Sequence, residues 1–98
     1  MHQVVQAVIK QLMPYQPDKI ILFGSYASGQ PREESDVDLV VIKTTNEEFH
    51  ERQKKVRLLL KTTIPVDIFI FTPEEFEQAK EDNPLIKEVS ETGKVVYG

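Results

Sequence analysis

The sequence predicts an α/β (α+β) domain in which helices cover a small mixed β-sheet of about four strands. Apolar residues recur at helical spacing near the start of the chain, and short β-branched runs alternate with helical segments further on. The chain has 98 residues, 40% of them hydrophobic and 29% charged. That length and composition fit one domain over residues 1–98 with a small buried core.

Proline and glycine mark the bounds of the first two elements. Residues 2–13 carry apolar side chains at helical spacing, and Pro14 and Pro17 end this helix. A short apolar run over residues 19–23 then stops at Gly24-Ser25, as expected for a buried strand. A short helix is expected to follow directly.

The middle of the chain predicts a strand and a charged helix. The β-branched run over residues 37–42 is typical of a second strand. Thr45 and Glu48 have the spacing of a capping box, which predicts a helix from there to about Leu60. The inner face of this helix is expected to consist of Phe49, Val56, Leu59 and Leu60.

The last third predicts a strand, two helices and a final strand. The apolar run over residues 66–71 is the third strand, and Thr72 with Glu75 again has capping-box spacing. Asn83-Pro84 begins a further helix, which Gly93 ends before a short strand over residues 94–97.

Composition excludes several classes of protein. The absence of Cys excludes a disulfide scaffold, a thiolate zinc site and cysteine catalysis. The sequence contains no secretory signal pattern and no run of about 20 apolar residues that could span a membrane. A net charge of −4 argues against a protein that coats nucleic acid. We therefore expect a cytoplasmic domain that binds neither membranes nor nucleic acid directly.

Two acidic residues, Asp36 and Asp38, open the second strand. Because they are two positions apart, their side chains share one face and stand roughly 6.6 Å apart. Hard cations bind carboxylate oxygens at about 2.1 Å, and paired catalytic ions lie about 3.5–4 Å apart. The two carboxylates could therefore hold one Mg²⁺ or bracket two. The alternative is a pair of solvated acids at the mouth of the strand.

Asp67 interrupts the otherwise apolar third strand. A carboxylate buried there without a partner would be strongly destabilising. It therefore needs a metal ion, a basic neighbour or a position at the open end of the sheet. An ion pair with Lys or Arg is the simplest alternative. If the second and third strands are neighbours, Asp67 can reach the same point as Asp36 and Asp38.

The pair Gly24-Ser25 follows the first strand directly. Glycine allows a turn that approaches a ligand closely, and Ser25 could cap a short helix whose N–H groups face a phosphate. A plain strand-to-helix turn is the alternative. The combination of Gly-Ser and Asp-x-Asp at one fixed spacing is more informative than either motif alone, because chance produces it in roughly one chain of this length in a thousand.

These motifs resemble the DNA polymerase β-type nucleotidyltransferases, in particular the minimal nucleotidyltransferases (MNT). The resemblance rests on residues 24–29, on residues 35–39 and on Asp67, and runs from about residue 19 to residue 71. It implies a metal-dependent transfer of a nucleoside monophosphate from a nucleoside triphosphate, with ATP as the expected substrate, to a hydroxyl acceptor.

The resemblance also implies roles for individual residues. Asp36 and Asp38 would hold Mg²⁺ as two ions, or Mn²⁺, and Asp67 would complete the metal site and help to activate the acceptor. The triphosphate would be bound by Gly24, Ser25, Ser35 and Arg32. Many minimal members have Arg at the position of Ser28, and Arg32 could replace that cation.

A protein partner is implied as well. Minimal members act with a helical HEPN-type toxin, an RNase, and add AMP to one of its tyrosines. This chain would then be an antitoxin in a hetero-oligomer with its target. The alternative is a non-catalytic module that neutralises a basic partner by contact, since an acidic surface speeds such association. Substituting Asp36 or Asp38 by Ala would separate the two hypotheses.

Overall fold

The computed structural model describes residues 2–29 and 36–98, and a four-stranded mixed sheet runs through them. The sheet order is β3-β2-β1-β4, in which β2 is antiparallel to β1 and parallel to β3, and β4 is antiparallel to β1. The strands are β1 (Lys19–Phe23), β2 (Val37–Ile42), β3 (Val66–Phe71) and β4 (Lys94–Tyr97).

The helices lie on both faces of this sheet, which confirms the predicted α+β class. They are α1 (Gln3–Leu12), which continues into a 3₁₀ turn (Met13–Tyr15), α2 (Ser25–Ser28), α3 (Phe49–Leu59), α4 (Pro73–Asp82) and α5 (Pro84–Thr92). Among the described residues, no helix is long and apolar enough to cross a membrane.

Two hydrophobic cores form because the strands alternate their side chains between the two faces of the sheet. The larger core packs β1–β3 against α1 and α3, through residues such as Val8 and Val56. The smaller core packs the opposite face against α4 and α5, through Phe76, Ile86 and Val89. The sheet therefore lies between the two cores. A strand side chain can reach solvent only where no helix covers its face of the sheet.

Most predicted bounds are confirmed, including all four strands. At α4, the Thr72 hydroxyl accepts a hydrogen bond from the Glu75 amide at 3.2 Å, and the Glu75 carboxylate accepts one from the Thr72 amide at 2.8 Å. This is the predicted capping box. Gly93 follows the last residue of α5, also as predicted.

The predicted capping box at Thr45 is wrong. The Thr45 hydroxyl accepts a hydrogen bond from the Glu47 amide at 3.1 Å and donates to the Glu47 carboxylate at 3.0 Å, so it closes a local turn instead. Helix α3 consequently begins only at Phe49, with Glu48 as an N-cap that makes no side-chain hydrogen bond.

The predicted inner face of α3 is correct only in part. Val56 is fully buried, and Leu59 and Leu60 pack partly buried against the larger core. Phe49, however, is 60% exposed, and Arg52 is the buried residue of the first turns. Periodicity missed Arg52 because a charged side chain is counted as solvent-facing unless its partner is known.

Arg52 ties three segments together. Its Nε donates to the Glu47 carbonyl at 2.9 Å, and its two terminal nitrogens donate to the Glu75 carboxylate at 2.6 and 3.2 Å. The hydrogen bond from Arg52 lowers the pKa of the Glu75 carboxyl group. Since Glu75 also closes the capping box of α4, one guanidinium fixes the start of α3 relative to the start of α4.

Side chains of α3 also cover the outer edge of β3. Gln53 Nε2 donates to the Ile68 carbonyl at 3.1 Å, and an Arg57 terminal nitrogen donates to the Val66 carbonyl at 3.0 Å. β3 is an edge strand. Two of its carbonyl groups are thus already paired within the chain.

We expect Arg52→Met to lower the free energy of unfolding by about 2 kcal/mol, because it removes charge-assisted hydrogen bonds around a buried site. The exposed Lys54→Met on the same helix is the matched control and should change it by less than about 0.5 kcal/mol. Urea denaturation of both variants measures the difference. Equal stabilities would show that the Arg52 cluster contributes nothing net.

Candidate active site

The topology brings the predicted site residues to one end of the sheet. Because β1 is antiparallel to β2 and β2 is parallel to β3, the end of β1 lies beside the beginnings of β2 and β3. The register aligns Phe23, Asp38 and Asp67 in one row across the three strands. The second and third strands are therefore neighbours, which was the condition for Asp67 to join the other acids.

Asp67 lies at the open end of the sheet rather than in its interior. Its side chain is exposed, while Val66 and Ile68 on either side of it face the larger core. In residues 2–29 and 36–98, no Lys or Arg forms an ion pair with Asp67. The structure therefore shows Asp67 in the position at the open end of the sheet that the sequence allows for this carboxylate.

Asp38, the second residue of β2, is partly buried in this group of acids. Burial raises its pKa, and the negative charges of Asp67 and Asp36 and a hydrogen bond with Asp67 raise it further. Asp36, partly buried, directly precedes β2. The three acids therefore interact electrostatically, and this arrangement favours an added proton or cation.

The acids do not form a finished metal site. Among the described residues, no group of three or more His, Asp or Glu side chains is arranged to hold a metal ion. Asp38 and Asp67 are nevertheless direct neighbours across the β2–β3 pair, and carboxylate oxygens are the ligands that Mg²⁺ prefers. The donor set fits a hard cation, with two adjacent carboxylates and Asp36 as a nearby third charge.

Gly24 lies against this acid group. Its φ of 76° and ψ of −157° belong to a region that is essentially restricted to glycine. A Cβ at this position would overlap Oδ2 of Asp38. Glycine therefore permits both the turn out of β1 and the close approach of Asp38.

The other predicted phosphate-binding residues have different outcomes. Ser25 is the first residue of α2 and does not cap it, because the N-cap is Gly24 and carries no side chain. The prediction of a Ser25 cap is therefore wrong, although Ser25 does lie at the end of the sheet where the acids are. Ser35 and Arg32 fall outside the described residues.

A cleft of about 450 Å³ extends from Asp38 and Asp67 towards α5. Its sheet side carries the rings of Phe23 and Phe69, whose centroids lie 6.2 Å apart. The α5 residues on its other side are Leu85, Glu88, Val89 and Thr92. Sequence reasoning missed these residues. The one available signal was the spacing of Phe69, two positions beyond Asp67 and therefore on the same face.

We expect Gly24→Ala to lower the free energy of unfolding by about 1–3 kcal/mol, since it combines a disfavoured backbone conformation with an overlap. Gly29→Ala is the matched control. Gly29 also has a positive φ, of 78°, but a Cβ there meets no atom within 4 Å. Thermal unfolding compares the two variants. If both lose the same stability, the packing of Gly24 on Asp38 has no energetic consequence.

We expect Asp38→Asn to stabilise the fold at pH 7, by about 1 kcal/mol at most because the site is partly solvated. A raised pKa means that the folded state binds the proton more tightly than the unfolded state. The ionised carboxylate therefore costs stability as the pH rises through that pKa. The gain should shrink towards pH 3, where wild-type Asp38 is itself protonated. Urea denaturation at both pH values, with exposed Asp82→Asn as control, tests this, and a loss of stability at pH 7 would contradict it.

Comparison with known proteins identifies the family. The family described as polymerase beta, nucleotidyltransferase matches residues 6–98. Two proteins of Methanocaldococcus jannaschii, each named a "putative protein adenylyltransferase", are also similar to this chain. One is 40% identical over 53 residues, which cover 54% of this chain and only about half, 54%, of that protein. The other is 34% identical over 79 residues, which cover 81% of this chain and 77% of that protein.

The fold has a counterpart among crystal structures. A protein of Sulfolobus solfataricus, described as a "putative nucleotidyltransferase", aligns with a TM-score of 0.67 over 97% of this chain and 78% of its own. At 14% identity, this likeness shows a shared fold alone. The family match over nearly the whole chain and the two relatives confirm the resemblance seen in the motifs: the chain belongs to the polymerase β-type nucleotidyltransferases, as a member of the minimal, MNT type.

Proposed function

We propose that this chain is a metal-dependent protein adenylyltransferase, which moves AMP from ATP to a hydroxyl group of a protein. The observation that carries the proposal is the pair of Asp38 and Asp67 in one row at the end of the sheet, with Gly24 packed against Asp38. The names of the two Methanocaldococcus relatives support a protein as the acceptor.

Each strand would have a different task in this reaction. The turn after β1, with Gly24 and Ser25, is the side that would bind the triphosphate, helped by Ser35 and Arg32. Asp36, Asp38 and Asp67 would hold Mg²⁺ or Mn²⁺. When bound, the metal supplies positive charge that neutralises the phosphate oxygens and orients them for transfer.

The transfer itself needs a proton acceptor at the far end of the row. The acceptor oxygen bonds to the α-phosphorus, and the bond from that phosphorus to the oxygen bridging to the β-phosphate breaks. Pyrophosphate leaves with the electron pair, and the hydroxyl proton passes to the carboxylate of Asp67. Asp67 suits this task because its side chain is exposed and no described Lys or Arg pairs with it.

A tyrosine of a HEPN-type toxin is the acceptor that we propose, which makes this chain the antitoxin of a two-protein complex. The MNT-type motifs support this assignment. A folded acceptor brings its own binding surface, so the modified hydroxyl needs only access to the end of the sheet. Asp67 on the edge strand β3 provides that access.

Label transfer tests the proposed activity. Purified chain, Mg²⁺ and ATP labelled at the α-phosphate are mixed with a lysate of the source organism, and a labelled protein band is expected. Asp38→Asn and Asp67→Asn should each reduce the label by about 10²-fold or more. Asp82→Asn, an exposed acid on α4, is the control and should leave it unchanged.

Calorimetric titration of the same variants with Mg-ATP helps to distinguish AMP transfer from a non-catalytic module that neutralises its partner by contact. Binding without transfer to any protein in the lysate, with no difference between wild type and Asp67→Asn, would contradict the proposed transfer. Neutralisation of a toxin that survives Asp38→Asn would favour the contact-only module.

A further inference from the structure

The peptide groups on either side of Asp67 are bound by two side chains of α3. Arg57 donates a hydrogen bond from a terminal nitrogen to the Val66 carbonyl at 3.0 Å, and Gln53 Nε2 donates one to the Ile68 carbonyl at 3.1 Å. Val66 directly precedes Asp67, and Ile68 directly follows it. The two hydrogen bonds therefore bracket the carboxylate that accepts the proton in the proposed reaction.

These two donors stand where a neighbouring strand would be. In the described part of the chain, β3 has a partner strand, β2, on one side only. On that side the Pro65 carbonyl accepts a hydrogen bond from the Val37 amide at 3.0 Å. Because the backbone groups of successive residues point to opposite sides of a strand, the carbonyls of Val66 and Ile68 point to the open side. The two side chains of α3 thus pair carbonyl groups that a further strand would otherwise pair.

The spacing of the two donors matches the spacing of the two carbonyls. Residues 53 and 57 are four positions apart on a helix, which is about 6.0 Å along its axis. Residues 66 and 68 are two positions apart on a strand, which is about 6.6 Å. The later helix residue binds the earlier strand residue, so α3 runs antiparallel to β3. The helix can therefore hold both carbonyls at once.

Helix α3 is itself fixed to the rest of the fold. Val56 is fully buried in the larger core, and Arg52 is bound to the Glu75 carboxylate. Since β3 lacks a strand on its outer side, a fixed α3 limits how far this part of β3 can move away from β2. It thereby limits the separation of Asp67 from Asp38, its direct neighbour on β2.

We propose that Arg57 and Gln53 are positioning residues for Asp67, which hold its part of β3 so that its carboxylate stays beside that of Asp38. This inference deepens the proposed function and rests on it. Two carboxylates that share a cation must keep a fixed separation, and side chains that orient such ligands affect metal binding strongly. A positive charge near the acids opposes the binding of a cation, so any help from Arg57 comes from its hydrogen bond.

Binding of Mn²⁺ without nucleotide, measured by electron paramagnetic resonance, tests the positioning apart from turnover. Gln53→Met and Arg57→Met each remove one donor and should raise the Kd of Mn²⁺ about 10-fold. Lys54→Met is the matched control, since it removes the same charge as Arg57→Met from an exposed position of the same helix. A charge effect alone would leave the Kd of both variants unchanged or lower it. Arg57→Lys keeps a donor and the charge, and should restore most of the affinity.

The kinetics of AMP transfer give a second readout. At saturating Mg²⁺ we expect Gln53→Met and Arg57→Met to lower kcat about 10-fold, because a displaced Asp67 accepts the proton poorly. The KM for ATP should change less than twofold, since the proposed triphosphate site is the turn after β1. A merely structural role would instead lower the number of Mn²⁺ sites per chain through unfolding and leave their Kd unchanged.

Three results would overturn the positioning role. Both Met variants could bind Mn²⁺ with the Kd of the wild type, whether or not they lose sites through unfolding. Both could transfer AMP with the kcat of the wild type. Finally, the wild type could bind Mn²⁺ no more tightly than Asp67→Asn. A wild type that transfers no AMP, while the Mn²⁺ affinities follow the expected order, would instead overturn the proposed activity and leave the positioning role intact.

Discussion

The parallel pairing of β2 with β3 in a single register is the constraint on which the site depends. Side chains alternate between faces along a strand, so a slip of one residue would move Asp67 into the larger core and bring Val66 to the surface. The core prevents that slip because Val66, Ile68 and Ile70 all lie buried on one face. Apolar burial on the α1–α3 side therefore fixes the position of a carboxylate on the other side.

The group of acids at the end of the sheet lowers the stability of the fold. Three acids interact at the end of the sheet, and the pKa of Asp38 is raised because burial and the neighbouring negative charges make its ionised form less favourable there. Gly24 adds a backbone conformation that other residues avoid. Both features make sense where charge and close approach serve a ligand, while the two cores and the Arg52 cluster elsewhere hold the fold together.

Local patterns predicted the strands and most helix ends because each depends on neighbours in sequence. The Thr72 capping box and the break at Gly24 are of this kind. The burial of Arg52 could not be predicted, since it depends on Glu75, 23 residues away. The wrong prediction at Thr45 has a local cause, because its hydroxyl accepts a hydrogen bond from the Glu47 amide and so forms a turn instead of a helix cap. The apolar cleft could not be predicted, because it depends on where α5 lies over the sheet. Asp38 and Asp67 were recognisable because one condition, adjacent strands, was enough to bring them together.

The side chains of Gln53 and Arg57 on the rim of β3 have a consequence for how another protein can approach. An open strand edge invites a second chain to add its own strand through main-chain hydrogen bonds. Here two carbonyl groups of that edge are already engaged by α3. A second chain is therefore discouraged from extending the sheet beside Asp67, so that contact at this edge is left to side chains and does not join the two backbones.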